Sequence, residues 1–348
     1  MKQAFVGRKI NEMSVGGIVI NRDAPRNNRA KLDTGTFCNY DCEFCYYRDQ
    51  LDKKTHIDIV KQRADYLKQY GIKQVDLSGG ESSVSSDWFE ILEYCNQLFE
   101  HVSCLSHGGR FANKDFLIES QQRGLKEILF SLHGSTPEVH DAITNRKGSF
   151  QRIIQAIQNA QECGMVVRLN CTVYSKNYID VATQYAALVN TIGPLEVNFI
   201  TFNYWGDVQL KNVGYREMTD AIKKCIDQLN KDIIINVRYT PFCYMEGYEQ
   251  YVCNLYQHIY DPYDWNKEVY DYTVDASIPW TEEGKLRIAH DACKQQRIKF
   301  YHKDKECMSC KHFYICDGIE KELAGEVLTP TPGEKIQDVL FYRKSHFR

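Results

Sequence analysis

A chain of 348 residues exceeds one ordinary domain and accommodates an enlarged α/β domain with a smaller appendage. Its net charge of −3 and pI of 6.4 give no basic footprint for a nucleic acid or an anionic membrane, and no stretch approaches the ~20 apolar residues of a membrane span. The N-terminus lacks the apolar core of a signal peptide, so a cytoplasmic location is expected, with the fourteen cysteines as metal ligands or small buried residues rather than disulfides.

Residues 1–30 are polar and irregular, an extension expected to pack on the main domain. A strand-like run, Lys31-Leu32-Asp33-Thr34-Gly35-Thr36, then leads into Cys38-Asn39-Tyr40-Asp41-Cys42-Glu43-Phe44-Cys45. From there helical and extended patterns alternate. Periodicity and glycine stops predict helices over 57–70, 87–99, 114–123, 150–163, 178–191 and 215–230, and strands over 73–78, 101–105, 126–132, 165–173, 195–202 and 232–239. Regular βα succession argues for a parallel sheet with right-handed crossovers, an open doubly wound sheet or a closed or partly closed barrel. In either case the site belongs at the C-terminal strand ends, where the cysteine loop and Gly79-Gly80-Glu81 both fall.

Beyond residue 240 the pattern changes, and the one domain break is drawn there. Residues 241–282 are crowded with aromatics, among them Tyr244, Tyr248, Tyr251, Tyr256, Tyr260, Tyr263, Trp265, Tyr270, Tyr272 and Trp280. They line a pocket for a ring-shaped substrate or pack between domains. A hairpin turn and strand are predicted over 283–288. The second cysteine group follows, Cys307-Met308-Ser309-Cys310 and Cys316.

Three thiolates spaced x3 and x2 inside eight residues suit an iron–sulfur cluster or zinc. They leave a cubane one ligand short, so one iron is open to something other than protein. A structural zinc needs a fourth ligand, and the nearest candidate, His56, is expected at the surface. With Phe44 and Tyr46 flanking the last cysteine, the motif resembles the signature of the radical S-adenosylmethionine (SAM) superfamily, and the similarity extends over roughly residues 31–240. The resemblance implies a partial (β/α)6 TIM-like barrel holding a SAM-binding [4Fe–4S] cluster on Cys38, Cys42 and Cys45.

The same resemblance implies a SAM site. Gly79, Gly80 and Glu81 stand where the family holds the methionyl amine, and an anion beside an ammonium makes physical sense. Ser131 stands where a serine contacts the ribose. Arg168 and Asn170, on one face of a strand, suit the SAM carboxylate and ribose, and Ile200 an apolar wall for adenine. His107, in Leu105-Ser106-His107-Gly108-Gly109, departs from the Thr-Asn-Gly turn of relatives, and the run from Pro137 to Phe150 resembles the family's linker. In such enzymes the reduced cluster cleaves SAM and the 5′-deoxyadenosyl radical takes a substrate hydrogen, the electron coming from a donor such as flavodoxin or ferredoxin.

The second cysteine group resembles the C-terminal SPASM and twitch modules, implying a small domain over 241–348 with one auxiliary [4Fe–4S] cluster on Cys293, Cys307, Cys310 and Cys316. Cys243 or Cys253 is an alternative to Cys293, and zinc an alternative to the cluster. Cys243, just after the last strand, is a candidate for catalysis by hydrogen-atom donation, a candidate ligand, or inert. The expected substrate is a small polar molecule such as a sugar, nucleoside or aminocyclitol, undergoing oxidation, epimerisation or elimination, because 30 N-terminal residues are too few for a leader-peptide-binding domain. Radical modification of a ribosomally made peptide is the alternative. A glycyl-radical activating enzyme and a zinc-binding interaction module are the readings from other classes.

Overall fold

Val60, Ala64 and Leu67 recur at helical spacing and are all buried, so Ile57–Tyr70 (α1) lays one face on the sheet and stops at Gly71, whose φ of +96° suits a residue without Cβ. The protein is described from a computed structural model over residues 12–15, 17–21, 24, 26–203, 210, 213–260, 282–323 and 326–343. Tyr263, Trp265, Tyr270, Tyr272 and Trp280 of the aromatic stretch lie outside the described residues.

A hairpin of β1 (Glu12–Val15) and β2 (Ile18–Asn21) precedes the main sheet. That sheet takes β3 (Arg29–Asp33), β4 (Gln74–Ser78), β5 (His101–Ser106), β6 (Leu125–Ser131), β7 (Val166–Val173), β8 (Glu196–Thr201), β9 (Ile234–Arg238) and the two-residue β10 (Val252–Cys253) in simple sequence order, each parallel to the next. This is the partial TIM-like barrel expected, with β3 and β10 as its two edges, and β10 carries the sheet past residue 240. Helices α2 (Trp88–Leu98) and α3 (Lys114–Gln122) follow the expected segments within a residue or two.

Three segments differ from expectation. The run read as a linker contains a helix, α4 (Pro137–Thr144), capped by the Thr136 hydroxyl with proline in its first turn. It is followed by α5 (Ser149–Glu162). The segment over 178–191 is α6 (Tyr178–Asp180), a π-helical turn at Val181–Tyr185, and α7 (Ala186–Ile192). After α8 (Tyr215–Ile226), the predicted hairpin over 283–288 is instead the start of a long helix, α9 (Glu282–Phe300). Gly284 signalled a turn, but buried Leu286, Ala289, His290 and Cys293 follow a helical period, and that pattern prevails. Strands β11 (Tyr301–His302) and β12 (Ile319–Glu320) pair on either side of the second cysteine group. No described helix is long and apolar enough to cross a membrane.

Residues at every second position of the strands face into the barrel, and register stacks them in layers. The lowest layer holds Arg29, Asp76, Ser103, Glu127, Arg168 and Glu196. Arg29 donates to Asp76 (Nε 3.1 Å, Nη2 2.6 Å) and to Ser103 Oγ at 2.8 Å. Arg168 pairs with Asp76 at 3.0 Å, Glu196 at 3.5 Å and, more closely, Glu127. Burial alone opposes carboxylate charge here, yet Arg29 and Arg168 outweigh it at Asp76 and hold that group below its usual range. At Glu127 burial is likewise overcome by Arg168, His101 and Arg29. Glu196 goes the other way, raised by burial despite the same arginines. Two arginines therefore balance two carboxylates, with Glu196 the more readily protonated third.

Candidate active site

The cysteine loop is the direct continuation of β3, and backbone hydrogen bonds fasten it to the end of β4. Thr34 N donates to Ser78 O, Gly80 N to Gly35 O and Glu81 N to Phe37 O, each at 2.8 Å. The two chains approach so closely that a Cβ on Gly79 would stand 2.0 Å from Gly35 O, and one on Gly80 2.2 Å from Phe37 O. The glycine pair is thus required by the cysteine loop itself, before any ligand is considered.

Above the charged layer lies a cavity of about 310 Å³ at the C-terminal ends of the strands. Cys38, Cys42, Cys45, Gly79, Gly80, Glu81, Ser131, Asn170 and Ile200 all line it, so the structure brings these expected site residues together. Register explains the set. Ser131 pairs with Asn170, Asn170 with Asn198, and Thr172 with Ile200, all on inward faces.

Arg168 is the exception. It shares the face of Asn170, but it sits two residues lower on β7, does not line the cavity, and is 2 % exposed. Its guanidinium is taken up by Asp76, Glu127 and Glu196. Arg168 thus has the face expected for it but lies below the cavity where a SAM carboxylate was expected. Glu81 also differs in detail. Its carboxylate accepts from Ser106 Oγ (2.9 Å), His107 N (2.8 Å) and the nearby Ser83 hydroxyl, so it ties the ends of β4 and β5 together within the cavity wall.

His107, a departure from the family pattern, has a structural account. Its ring stacks on Tyr40 with centroids 3.7 Å apart. Gly109 N donates to Nδ1 (3.0 Å), which leaves the proton on Nε2, 2.8 Å from Asn39 Oδ1. Burial lowers its pKa, so the ring is a neutral clamp on the cysteine loop. On the other side Phe44 meets His133 edge-on at 4.7 Å, and Tyr174 Oη donates to Glu43 at 3.2 Å.

Burial pushes the Cys38 thiol up to about 12, with Glu81 and Cys45 acting in the same direction and the Tyr40 N–H opposing. Cys42 and Cys45 are raised too, chiefly by burial. Cys38 and Cys45 both act on Cys42, so the three are neighbours, although among the described residues no three ligand side chains close on a single-ion sphere. Thiols this desolvated ionise when a cationic centre takes the sulfur, which is the behaviour of metal or cluster ligands. Tyr40 N, 3.4 Å from Cys38 Sγ, is placed to donate to that sulfur.

A second cavity, small and apolar, is lined by Cys243, Cys307, Cys310 and Cys316 together with Phe242, Lys303 and His312. Cys293 is not among them. It lies on α9, 4 % exposed, with Asp317 and Arg297 as its charged neighbours. Cys243 instead feels Cys316, Cys307 and Cys310, after the burial that carries it up to about 12. Cys253 is held elsewhere, near Asn236 (3.6 Å) and Arg343 (3.1 Å). Of the expected four-cysteine set, Cys307, Cys310 and Cys316 share this cavity and Cys293 does not, its place being taken by Cys243, the alternative to it. The signal was its position two residues past Pro241, at the same strand-end edge as the first site.

Behind the cysteine loop two buried histidines supply a pH prediction. His133 N donates to His140 Nδ1 (3.1 Å), and Thr172 N to His133 Nδ1 (3.2 Å), so both rings serve as acceptors. Burial lowers both, His140 to about 4. The unfolded chain takes up this proton near pH ~6.5, so it binds more protons than the folded chain between there and ~4. His140's contribution is fully present above pH ~6.5 and is lost as pH falls towards ~4, by about 3 kcal/mol. His140→Asn keeps an acceptor and is expected to flatten this part of the stability profile, read from denaturant midpoints between pH ~7 and ~4.

Comparison with known proteins agrees with this geometry. The Radical SAM superfamily profile matches residues 32–180. A probable GTP 3′,8-cyclase of Saccharolobus solfataricus is 29% identical over 214 residues, 59% of this chain and 66% of that protein. The antilisterial bacteriocin subtilosin biosynthesis protein AlbA of Bacillus subtilis is 28% identical over 146 residues, 41% of this chain and 33% of its own length. The chain spans a little under two thirds of the cyclases it matches. Among solved structures, Streptococcus suis SuiB bound to S-adenosylmethionine superposes with a TM-score of 0.58, covering 89% of this chain and 75% of that one at 14% identity, a likeness of fold.

Proposed function

The chain belongs to the radical SAM superfamily, and we propose that it takes a hydrogen atom from a small polar substrate held in the half-barrel cavity. The observation that carries this is the convergence of Cys38, Cys42 and Cys45 with Gly79, Gly80, Ser131, Asn170 and Ile200 on that one cavity. Three half-buried neighbouring thiols and an adjoining space of about 310 Å³ fit a [4Fe–4S] cluster and SAM. Bound there, cluster and SAM supply the one-electron chemistry that opens an unactivated C–H bond.

The chain's own part is to position and to exclude water. The Gly35–Phe37 backbone, pinned on Gly80 and Glu81, fixes the cysteine loop on one side. His107 fixes it through Asn39 and Tyr40 on the other. Ser131 and Asn170 present hydroxyl and amide groups suited to a ribose, and Ile200 an apolar surface suited to a base. Cys243, Cys307, Cys310 and Cys316 are the ligands we assign to an auxiliary [4Fe–4S] cluster, which makes Cys243 a ligand in place of a hydrogen-atom donor. A flavodoxin or ferredoxin in the cytoplasm is the electron donor that fits this chemistry.

Anaerobic reconstitution tests the reading. A brown protein that forms 5′-deoxyadenosine from SAM under reduction, with deuterium carried into it from substrate, is the expected result. Colourless protein holding zinc would overturn it. Gly80→Ala, whose Cβ meets Phe37 O at 2.2 Å, is expected to cut 5′-deoxyadenosine formation by about 100-fold. A peptide substrate is the second reading, favoured by the similarity to AlbA. Deuterium transfer from a labelled peptide instead of a small molecule would select it.

A further inference from the structure

The second cavity carries a cation among its cysteines. Among the described residues that line it, Lys303 is the only lysine or arginine, and no aspartate or glutamate is present. The hairpin of β11 and β12 puts it there. His302 pairs with Ile319, so Lys303, just past β11, comes to lie beside Gly318, just before β12. Gly318 has φ +95°, and a Cβ on it would stand 2.1 Å from His302 O and 3.0 Å from Lys303 Cγ. Only a glycine lets the lysine stem lie so close to the strand end. The Gly318 N–H stands 3.4 Å from Cys316 Sγ.

The other end of the side chain is held as well. Lys303 Nζ donates to Phe313 O and lies 4.8 Å from the centre of the Phe313 ring. Phe313 N in turn donates to Cys310 O at 3.1 Å. Lys303 is half-buried, with its stem against Gly318 and its ammonium on the loop between Cys310 and Cys316. Its position is therefore set by the cysteine loop itself.

The charge of Lys303 acts on the sulfurs. At Cys316 burial raises the pKa, and Lys303 is the leading influence in the other direction. Lys303 is itself lowered by burial and by Arg297, whereas Cys316, Asp317 and Cys307 favour its charged form. Asp317 has other partners, since it pairs with Arg297 at 3.3 Å and accepts from Leu255 N at 2.9 Å. A cluster on four thiolates is an anion, and reduction adds one more negative charge. In an apolar pocket with little water to screen it, a nearby ammonium stabilises the reduced form more than the oxidised form.

We propose that the Lys303 ammonium, fixed between Gly318 and Phe313 on the wall of the second cavity, sets how readily the auxiliary cluster takes an electron. This rests on the assignment of Cys243, Cys307, Cys310 and Cys316 to an auxiliary [4Fe–4S] cluster. The step concerned is the entry of one electron into the cluster, with no bond broken and no proton moved. Lys303 is not a ligand in it. Its part is to hold a positive charge beside the cluster and so raise the reduction potential.

The test is a potentiometric titration of the reconstituted full-length protein, with dithionite and redox mediators, read by electron paramagnetic resonance. The signal that changes on adding SAM marks the Cys38 cluster, and the other marks the auxiliary cluster. Lys303→Gln keeps a donor for Phe313 O and removes the charge. At a fixed applied potential it is expected to lower the ratio of reduced to oxidised auxiliary cluster by about tenfold, or about 59 mV for a one-electron couple. Lys303→Arg keeps the charge and is expected to stay within about twofold of the parent. Iron is expected to remain at about eight per chain, with the potential of the Cys38 cluster unmoved. An unchanged ratio in Lys303→Gln, or a Lys303→Arg protein that falls as far, would overturn the proposal. So would an equal shift at both clusters, or a Lys303→Gln protein holding only about four irons, since the lysine would then support the fold or the cluster instead of tuning it. A parent protein with about four irons and one signal fails on the earlier ligand assignment, and its iron count tells the two failures apart.

Discussion

Replacing Cys243 with alanine is expected to lower the iron held after anaerobic reconstitution from about eight per chain to about four, whereas Cys293→Ala leaves it at about eight. The difference follows from where the helix α9 puts its cysteine. The charged groups acting on Cys293 are Asp317 and Arg297, and it does not line the cavity of the other four cysteines. Cys243 shares a cavity with Cys307, Cys310 and Cys316 and is acted on by all three. With one of four thiolates gone, the auxiliary cluster loses a corner ligand in an apolar pocket that offers poor replacements. His312 is the nearest, its Nδ1 4.0 Å from Cys310 Sγ and its Nε2 2.7 Å from the Tyr342 hydroxyl. The Cys38 site lies in a separate cavity, so its iron is expected to persist and to cleave SAM at a reduced turnover. If Cys293→Ala lost the four irons and Cys243→Ala kept them, the ligand assignment would be wrong and Cys243 would return as a candidate hydrogen-atom donor.

What was legible in the sequence follows a physical division. Strands β4–β9 are short and rich in buried apolar residues, and the helices between them, α2 with its Phe99 apart, end at glycines or polar stops. Period and punctuation therefore located nearly all of them. The cysteine loop and the glycine pair were legible because chemistry and backbone geometry there leave few other residue types. Depth was not legible. Strand alternation tells which residues look into the barrel, and it placed Arg168 with Asn170 correctly on that face, but it says nothing about how far below the strand end each one sits. The parallel register supplies that, and it comes only from pairing with β6 and β8. The same limit hid Asn198, two residues below Ile200 and beside Asn170 in register. Lys31 and Arg238, which also line the cavity, were invisible for another reason, since β3 and β9 are far apart in sequence and do not pair with each other. At α9 a local turn signal, Gly284, competes with a longer-range helical pattern of buried Leu286, Ala289, His290 and Cys293, and the longer pattern prevails.

Arg168→Met is expected to destabilise the protein by about 3–5 kcal/mol while leaving SAM affinity nearly unchanged in the fraction that folds. In the layer beneath the cavity, Arg29 and Arg168 are set against Asp76 and Glu127, with Glu196 raised towards its neutral form. Removing Arg168 leaves Arg29 alone against Asp76 and Glu127, an excess of buried negative charge, and Met cannot supply the hydrogen bonds that the two carboxylates lose. The cost comes from desolvation without compensation, not from the net worth of the ion pair, which in a buried setting is small. A second change distinguishes these terms. Glu127→Gln on top of Arg168→Met removes the stranded charge and is expected to recover part of the loss, whereas Glu127→Gln alone is destabilising because it leaves the arginines in excess. Guanidinium midpoints of the three variants and the parent close the cycle. SAM affinity is the readout that a purely structural role does not move. If Arg168→Met kept its midpoint and lost SAM binding by about 100-fold, the guanidinium would have to reach the cavity, and the layer assignment would fall. The separation matters for the whole site. A rigid charged floor under the barrel holds β3 and β4 in fixed register through Arg29 and Asp76, and the cysteine loop and the glycine pair are the continuations of those two strands.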